Sequence, residues 1–144
     1  MVSLGEYCLE YQWEEKFSTG DEAIDLQHKT VFELSNAFLQ AHDKDQLERT
    51  LAKLLDYVKQ HFAYEEALMA QMYMVDHEEH TLSHALLVER LEILRGRLSH
   101  DSLDRMELTL FLNHWTSSHI PRLDANLVEC LRLCETRRGD LLGS

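Results

Sequence analysis

Apolar positions recur with a helical period over most of the chain. From about Asp21 to about Ala41 the inward stripe reads Ile24, His28, Val31, Phe32, Ser35 and Phe38. Thr19-Gly20-Asp21-Glu22 has the spacing of a capping box at its start, with Thr19 as cap and Glu22 reaching back. A second stripe carries Leu51, Leu54, Leu55, Val58, His61, Phe62, Glu65, Leu68, Met69 and Met72. It opens at Asp43-Lys44-Asp45, where Asp45 and Glu48 have the spacing of another box. Tyr73-Met74-Val75 makes a short connection, and Asp76 is placed to cap a third helix with the stripe His80, His84, Leu87, Val88, Leu91 and Leu94. Gly96 weakens its end, and Ser99-His100-Asp101 is the next start signal. The fourth helix is expected from about Ser102 to about Arg137, with Leu108, Phe111, Leu112, Trp115, His119, Leu123, Leu127 and Leu131 inward and Gly139 as its stop.

Four long amphipathic helices with short connections predict an all-α fold, an antiparallel up-down-up-down four-helix bundle. Residues 1–18 lack the helical period and carry Tyr7, Tyr11, Trp13 and Phe17. They predict an N-terminal aromatic arm packed across the bundle. One domain over residues 1–138 is expected, with 139–144 a tail or the start of a linker.

Composition narrows the function classes. Five glycines and one proline in 144 residues agree with long helices and short turns. The formal net charge of −12 repels phosphate backbones and anionic lipid heads, so neither nucleic acid nor a membrane surface is expected as a partner. Cys8, Cys130 and Cys134 are too few and too irregular for a disulfide framework, and Cys130 and Cys134 read as small apolar residues one helical turn apart. No run approaches the ~20 apolar residues needed to span a bilayer, and Met1-Val2-Ser3-Leu4-Gly5-Glu6 lacks the features of a signal peptide. A reducing cytoplasm is the expected compartment.

The stripes also carry polar groups where apolar ones belong. They are His28, then His61 with Glu65, then His80 with His84, then His119 with Asp124. A buried imidazole or carboxylate without a partner costs several kcal/mol. Residues i and i+4 stand one turn apart on the same helix face, so His61 and Glu65 point together, as do His80 and His84. A single pair of this kind arises by chance. His100 with Asp104 is such a match, at a helix start where exposure is expected. One ligand-type set on every inward stripe is different, because bundle cores are where metal sites are built from facing helices. Imidazole and carboxylate suit iron, zinc, copper or manganese.

These residues resemble the hemerythrin family, especially its bacterial members. Gly20 to Lys29 (GDEAIDLQHK) is similar to the family's first-helix signature, and Trp13 fits the aromatic arm. His61 to Met69 (HFAYEEALM) resembles the HxxxE helix, His80 to His84 the HxxxH element, and His119 to Asp124 the HxxxxD element, with Trp115 one turn earlier. The resemblance runs from about Trp13 to about Leu131, with all the motifs in the family's order.

It implies a non-haem di-iron site. His80, His84 and His119 would ligate one iron and His28 and His61 the other. Glu65 and Asp124 would bridge them, together with a solvent-derived oxo or hydroxo group. Dioxygen would bind at the open position of the second iron. Two carboxylates against five neutral imidazoles favour reversible binding over O–O cleavage, and Phe32, Leu54, Val58 and Leu112 are placed by helical phase to line the pocket. Three readings stay open. One is an oxygen or redox sensor module whose tail, from Cys134 to Asp140, leads to a C-terminal signalling output domain such as a diguanylate cyclase. The others are a stand-alone oxygen carrier or store, and a peroxidase, nitric oxide reductase or ferroxidase. A structural zinc bundle is disfavoured, since such sites are four-coordinate and closed.

Pro121 lies inside the last motif, and residues five apart on an ideal α-helix stand roughly 140° from each other. Geometry alone does not nominate Asp124; the resemblance does. A proline distortion is expected to alter its aim and leave the site more open or more labile. His77 reads as a surface residue of a helix start, and His42, His100 and His114 as exposed or peripheral. Met69 and Met72 read as core. Tyr64 and Tyr73 read as packing residues.

Overall fold

Each predicted stripe becomes the buried side of a helix. The structure is a computed structural model that describes residues 11–98 and 102–143. Helix α1 spans Glu22–Leu39, α2 Lys44–Met72 and α3 His77–Gly96. The fourth rod has three parts: α4 (Ser102–His114), a π-helical segment (Trp115–Asp124) and α5 (Ala125–Gly143). Among the described residues there is no strand. The four rods form the antiparallel bundle expected from their short connections. The start of α4 is tied to the end of α1: Arg105 donates to the carbonyls of Leu39 (3.1 Å) and Ala41 (2.6 Å).

Helix ends follow local chemistry that differs in detail from the sequence expectation. Asp21, not Thr19, caps α1, its carboxylate accepting the Ile24 N–H at 3.0 Å. Gly20, at φ +89°, turns the chain so that Thr19 lies outside the helix, where its hydroxyl donates to Asp25 at 2.7 Å. At α2 the reciprocal pair is Asp43 and Gln46, not Asp45 and Glu48. Asp43 accepts the Gln46 N–H (2.8 Å), and the Gln46 side chain accepts the His42 N–H (2.7 Å). Asp76 occupies the cap position of α3 but makes no cap bond, accepting instead from Asn126 at 2.9 Å and so tying α3 to α5. Helix α5 continues past Gly139 to Gly143. One interior glycine costs a helix only about 1 kcal/mol, too little to end it. The start signal at residues 99–101 lies outside the described residues.

The arm behaves as expected from Tyr11 onward; Tyr7 lies outside the described residues. Asn36 of α1 holds Tyr11 at both its N–H (2.6 Å) and its carbonyl (3.1 Å). Trp13 and Phe17 meet Phe32 edge-on, with ring centroids 5.5 and 5.6 Å away.

The buried apolar residues fall into two clusters. The larger holds Phe17, Phe32, Phe38, Leu54, Leu112, Trp115 and their neighbours. The smaller holds Ile24, Met69, Met74, Leu127 and Val128. On α1, α2 and the fourth rod the polar stripe residues lie largely between the two, with Phe62 and Ile120 of the larger cluster interleaved, so a layer of imidazoles and carboxylates crosses the bundle there. Three expectations about individual side chains fail. Tyr73 is 91% exposed and Tyr64 40%, so neither is a core packing residue. Tyr73 ends α2 in the left-handed conformation (φ 52°), and Tyr64 stands one position off the buried stripe. Asp104, expected at an exposed helix start, is only 3% exposed; it lies one turn before Leu108, on the inward side of α4.

Candidate metal centre

All seven stripe residues meet in that layer, and each is at most 2% exposed. They form two overlapping groups. His80, His84 and His119 stand with Glu65 and Asp124, and His28 and His61 stand with the same two carboxylates. Within each group the candidate donor atoms lie within 4.8 Å of one another.

The carboxylates divide their oxygens between the groups. Glu65 turns Oε1 toward Nε2 of His84 (3.0 Å) and His80 (3.6 Å), and Oε2 toward Nε2 of His61 (3.3 Å) and His28 (3.8 Å). Asp124 turns Oδ1 toward Nε2 of His80 (3.0 Å) and His119 (3.1 Å), and Oδ2 toward Nε2 of His28 (3.1 Å). All five imidazoles therefore present the same nitrogen to the centre.

Local structure explains how Asp124 reaches it. The turn between Trp115 and Asp124 is π-helical, and its i→i+5 bonding continues to the Ala125 N–H, which donates to the Ile120 carbonyl. Residues five apart then share a face, so His119 and Asp124 both point inward. The distortion expected around Pro121 is present, and it alters the aim of Asp124 by turning it inward beside His119. Pro121 sits on the exposed side of the widened turn, and Asp124 is fully buried.

The outer nitrogens are braced in sequence around the bundle. Gln27 Oε1 meets His61 Nδ1 at 2.7 Å, Glu66 Oε2 meets His84 Nδ1 at 2.8 Å, and Ser83 Oγ meets His119 Nδ1 at 2.7 Å. Each brace stands next to an inward-facing residue of its own helix (His28, Glu65 and His84, respectively). One step along a helix turns the side chain by about 100°, which aims it at the histidine of the next rod. All three braces lie off the apolar stripes, so helical period alone does not reveal them. The available signal was a polar residue adjoining a ligand-type residue, which is common on any amphipathic helix. His28 and His80 have no such brace at Nδ1; the His28 ring meets Trp115 edge-on (4.9 Å), and Trp115 in turn meets Phe32 (5.7 Å). Phe32, Leu54, Val58 and Leu112 are buried in the larger apolar cluster.

The protein alone satisfies this layer poorly. Of eleven buried side-chain N and O atoms without a hydrogen-bond partner among the described residues, seven belong to it. They include Nε2 of His28, His61 and His119, Glu65 Oε2 and Asp124 Oδ2. Burial acts to raise the Glu65 carboxyl, but the surrounding imidazoles of His28, His61, His80 and His84 outweigh it and hold it well below its ordinary range. Burial and the Glu65 charge likewise oppose ionisation of Asp124, yet His119, His28 and His80 hold it low. Burial lowers His28 and His80, but the two carboxylates overcome it and raise both to about 9. At His119 burial wins and the imidazole is lowered. Strong mutual perturbation of this kind marks a site arranged for charge, and cations are the species that meet inward-facing lone pairs on both imidazole and carboxylate.

Comparison with known proteins agrees with the geometry. The family model of the hemerythrin HHE cation binding domain matches residues 19–131. The chain belongs to the hemerythrin family. Its relatives include a bacteriohemerythrin of Pseudomonas aeruginosa, 31% identical over 126 residues, covering 83% of this chain and 80% of that protein. The bacteriohemerythrin of Methylococcus capsulatus is 29% identical over 123 residues, covering 81% of this chain and 92% of that one. A myohemerythrin of Theromyzon tessulatum is 29% identical over 104 residues, covering 72% and 83% respectively. Hemerythrins bind a non-haem di-iron centre, and the donor set of this hemerythrin chain fits one: two overlapping groups, two shared carboxylates, no thiolate.

Proposed function

We propose that this chain binds dioxygen reversibly at a pair of iron ions held by His28, His61, Glu65, His80, His84, His119 and Asp124. His80, His84 and His119 would hold one ion and His28 and His61 the other, with Glu65 and Asp124 available to both. The observation that carries this reading is the division of each carboxylate's two oxygens between the two histidine groups. The His28–His61 group has one protein donor fewer, which leaves room there for an external ligand. Bound at these residues, an iron pair would supply the redox chemistry that reversible dioxygen binding needs. Two carboxylates among seven donors keep the negative charge low, which favours release over bond cleavage. Trp115 and Phe32 cover the His28 side and keep bulk water from it. Iron analysis with optical spectra through repeated cycles of oxygenation and degassing tests the proposal. About two irons per chain and a spectrum restored on each cycle support it; loss of the spectrum in one cycle, or turnover of peroxide, counts for an enzyme instead.

Within this reading we favour an oxygen or redox sensor module of a bacterial signalling protein, with residues 1–138 as the binding domain and 139–144 opening a linker. Support comes from the fourth rod, whose helical backbone continues from Asp124 to Gly143. Signalling requires the output to distinguish ligand-bound and ligand-free conformations. Hydrogen exchange along α5 with and without dioxygen tests for that difference. The alternative reading is a stand-alone oxygen carrier or store. Unchanged exchange along α5 favours the carrier. The free thiols of Cys130 and Cys134 suit a reducing, cytoplasmic setting. Among the described residues no helix is long and apolar enough to cross a membrane.

A further inference from the structure

The three braces differ in charge. Gln27 offers His61 an amide and Ser83 offers His119 a hydroxyl, whereas Glu66 offers His84 a carboxylate at 2.8 Å. His84 is also the ring whose plane is fixed from its face. Phe62 stacks on it with centroids 3.9 Å apart and planes 7° from parallel. Glu66 lines a surface pocket of about 270 Å³ between α2 and α3, together with Lys59, Phe62, Thr81 and His84. The cation nearest in that lining, Lys59, is paired with Glu92 at 2.8 Å. The charge of Glu66 is therefore directed at His84, and that histidine belongs to the three-histidine group alone.

We propose that Glu66 is a positioning residue that adds a charge difference to the two metal positions, beyond their unequal numbers of histidines. Its carboxylate holds the His84 ring through Nδ1 and lends negative charge to the three-histidine side, while the two-histidine side is braced only by the neutral Gln27. A metal-bound imidazole that donates its other N–H to a carboxylate is oriented and is a stronger base toward the ion. The ion on that side is held more tightly and its oxidised state is favoured. This inference rests on the di-iron reading.

Two readouts test it, neither of them oxygen binding. Zinc affinity is measured by competition with a chromophoric chelator, and the midpoint potential is measured on the iron-loaded protein. In Glu66→Gln the hydrogen-bond acceptor is kept and the charge removed. Affinity at one of the two positions is expected to fall about 10- to 100-fold, and the potential to rise. Ser83→Ala removes a neutral brace from the same group and is expected to lower affinity less and leave the potential where it was. Glu92→Gln removes a carboxylate from the same surface without touching a histidine and is expected to change neither. The inference is overturned if Glu66→Gln matches the parent, or shifts the potential no more than Ser83→Ala or Glu92→Gln does. A parent chain that takes up no metal sinks the di-iron reading and this inference with it. A parent that holds two ions as firmly as its Glu66→Gln variant sinks only the brace.

Discussion

The polar layer and the larger apolar cluster are built from the same four rods, on the same stripes, one or two turns apart. In the apolar cluster Phe38, Leu54 and Leu112 are fully buried and need nothing beyond each other. In the layer His28, Glu65 and Asp124 are just as buried, yet they leave lone pairs without partners. Burial is equal and the chemistry is opposite. The first region folds by removing apolar surface from water. The second opposes folding until cations satisfy it, so metal binding there is linked to folding.

Stripping the metal gives the largest expected effect. At a free metal concentration of one hundred times Kd, each ion stabilises the folded state by about 2.7 kcal/mol, hence roughly 5 kcal/mol for the pair. Guanidinium denaturation with and without a strong chelator measures it. Equal midpoints would erase the distinction between the two regions.

Leu54→Ala probes the other side of the comparison. A fully buried leucine cut to alanine costs about 2–5 kcal/mol. The loss is expected to be the same with and without metal, because Leu54 is not one of the residues of the layer. A loss that appears only in the loaded protein would merge the two regions into one.

A smaller effect is expected from pH in the metal-free polypeptide. Glu65 and Asp124 are held below their ordinary values of 4.5 and 3.8, so their contribution is present above that range and is lost progressively as pH falls below it. His28 and His80 are raised from 6.5 to about 9, so theirs is full below 6.5 and lost as pH rises through 9. The lowered His119 works the other way as pH falls below 6.5, so stability should peak near pH 6.5 and decline toward alkaline pH. Metal requires these imidazoles without their protons, so the alkaline decline should vanish in the loaded protein and metal affinity should rise toward pH 9. Chelator-controlled melts across pH 5–10 check both arms.

Much of this was legible in the sequence, because helical period and ligand type are both one-dimensional signals. His61 with Glu65 and His80 with His84 sit at i and i+4, where any regular helix aligns them. Asp124 did not follow from such geometry, since its alignment with His119 depends on a π-helical turn that no periodicity of 3.6 encodes. Motif resemblance supplied it. The braces Gln27, Ser83 and Glu66 were hidden for another reason: each acts on a neighbouring rod, and inter-rod register is a property of packing. The capping errors at Thr19 and Asp45 came from competition among several adjacent oxygens, which only the backbone turn at Gly20 and the reach of Gln46 decide.

Pro121→Ala carries the smallest expected effect. The residue is exposed, and the π-helical segment is held by Trp115, Thr116, His119, Ile120, Leu123 and Asp124, all buried. Stability should change by less than about 1 kcal/mol and metal content should stay the same. Loss of half the metal would mean that the proline itself maintains the register of Asp124.

The most direct test is a crystal structure of the iron-loaded protein with anomalous scattering at the iron edge. Two iron peaks are expected within the layer, one beside His80, His84 and His119 and one beside His28 and His61, with Glu65 and Asp124 each contacting both. A single peak, or peaks away from these carboxylates, would contradict the reading of the layer as a di-iron centre.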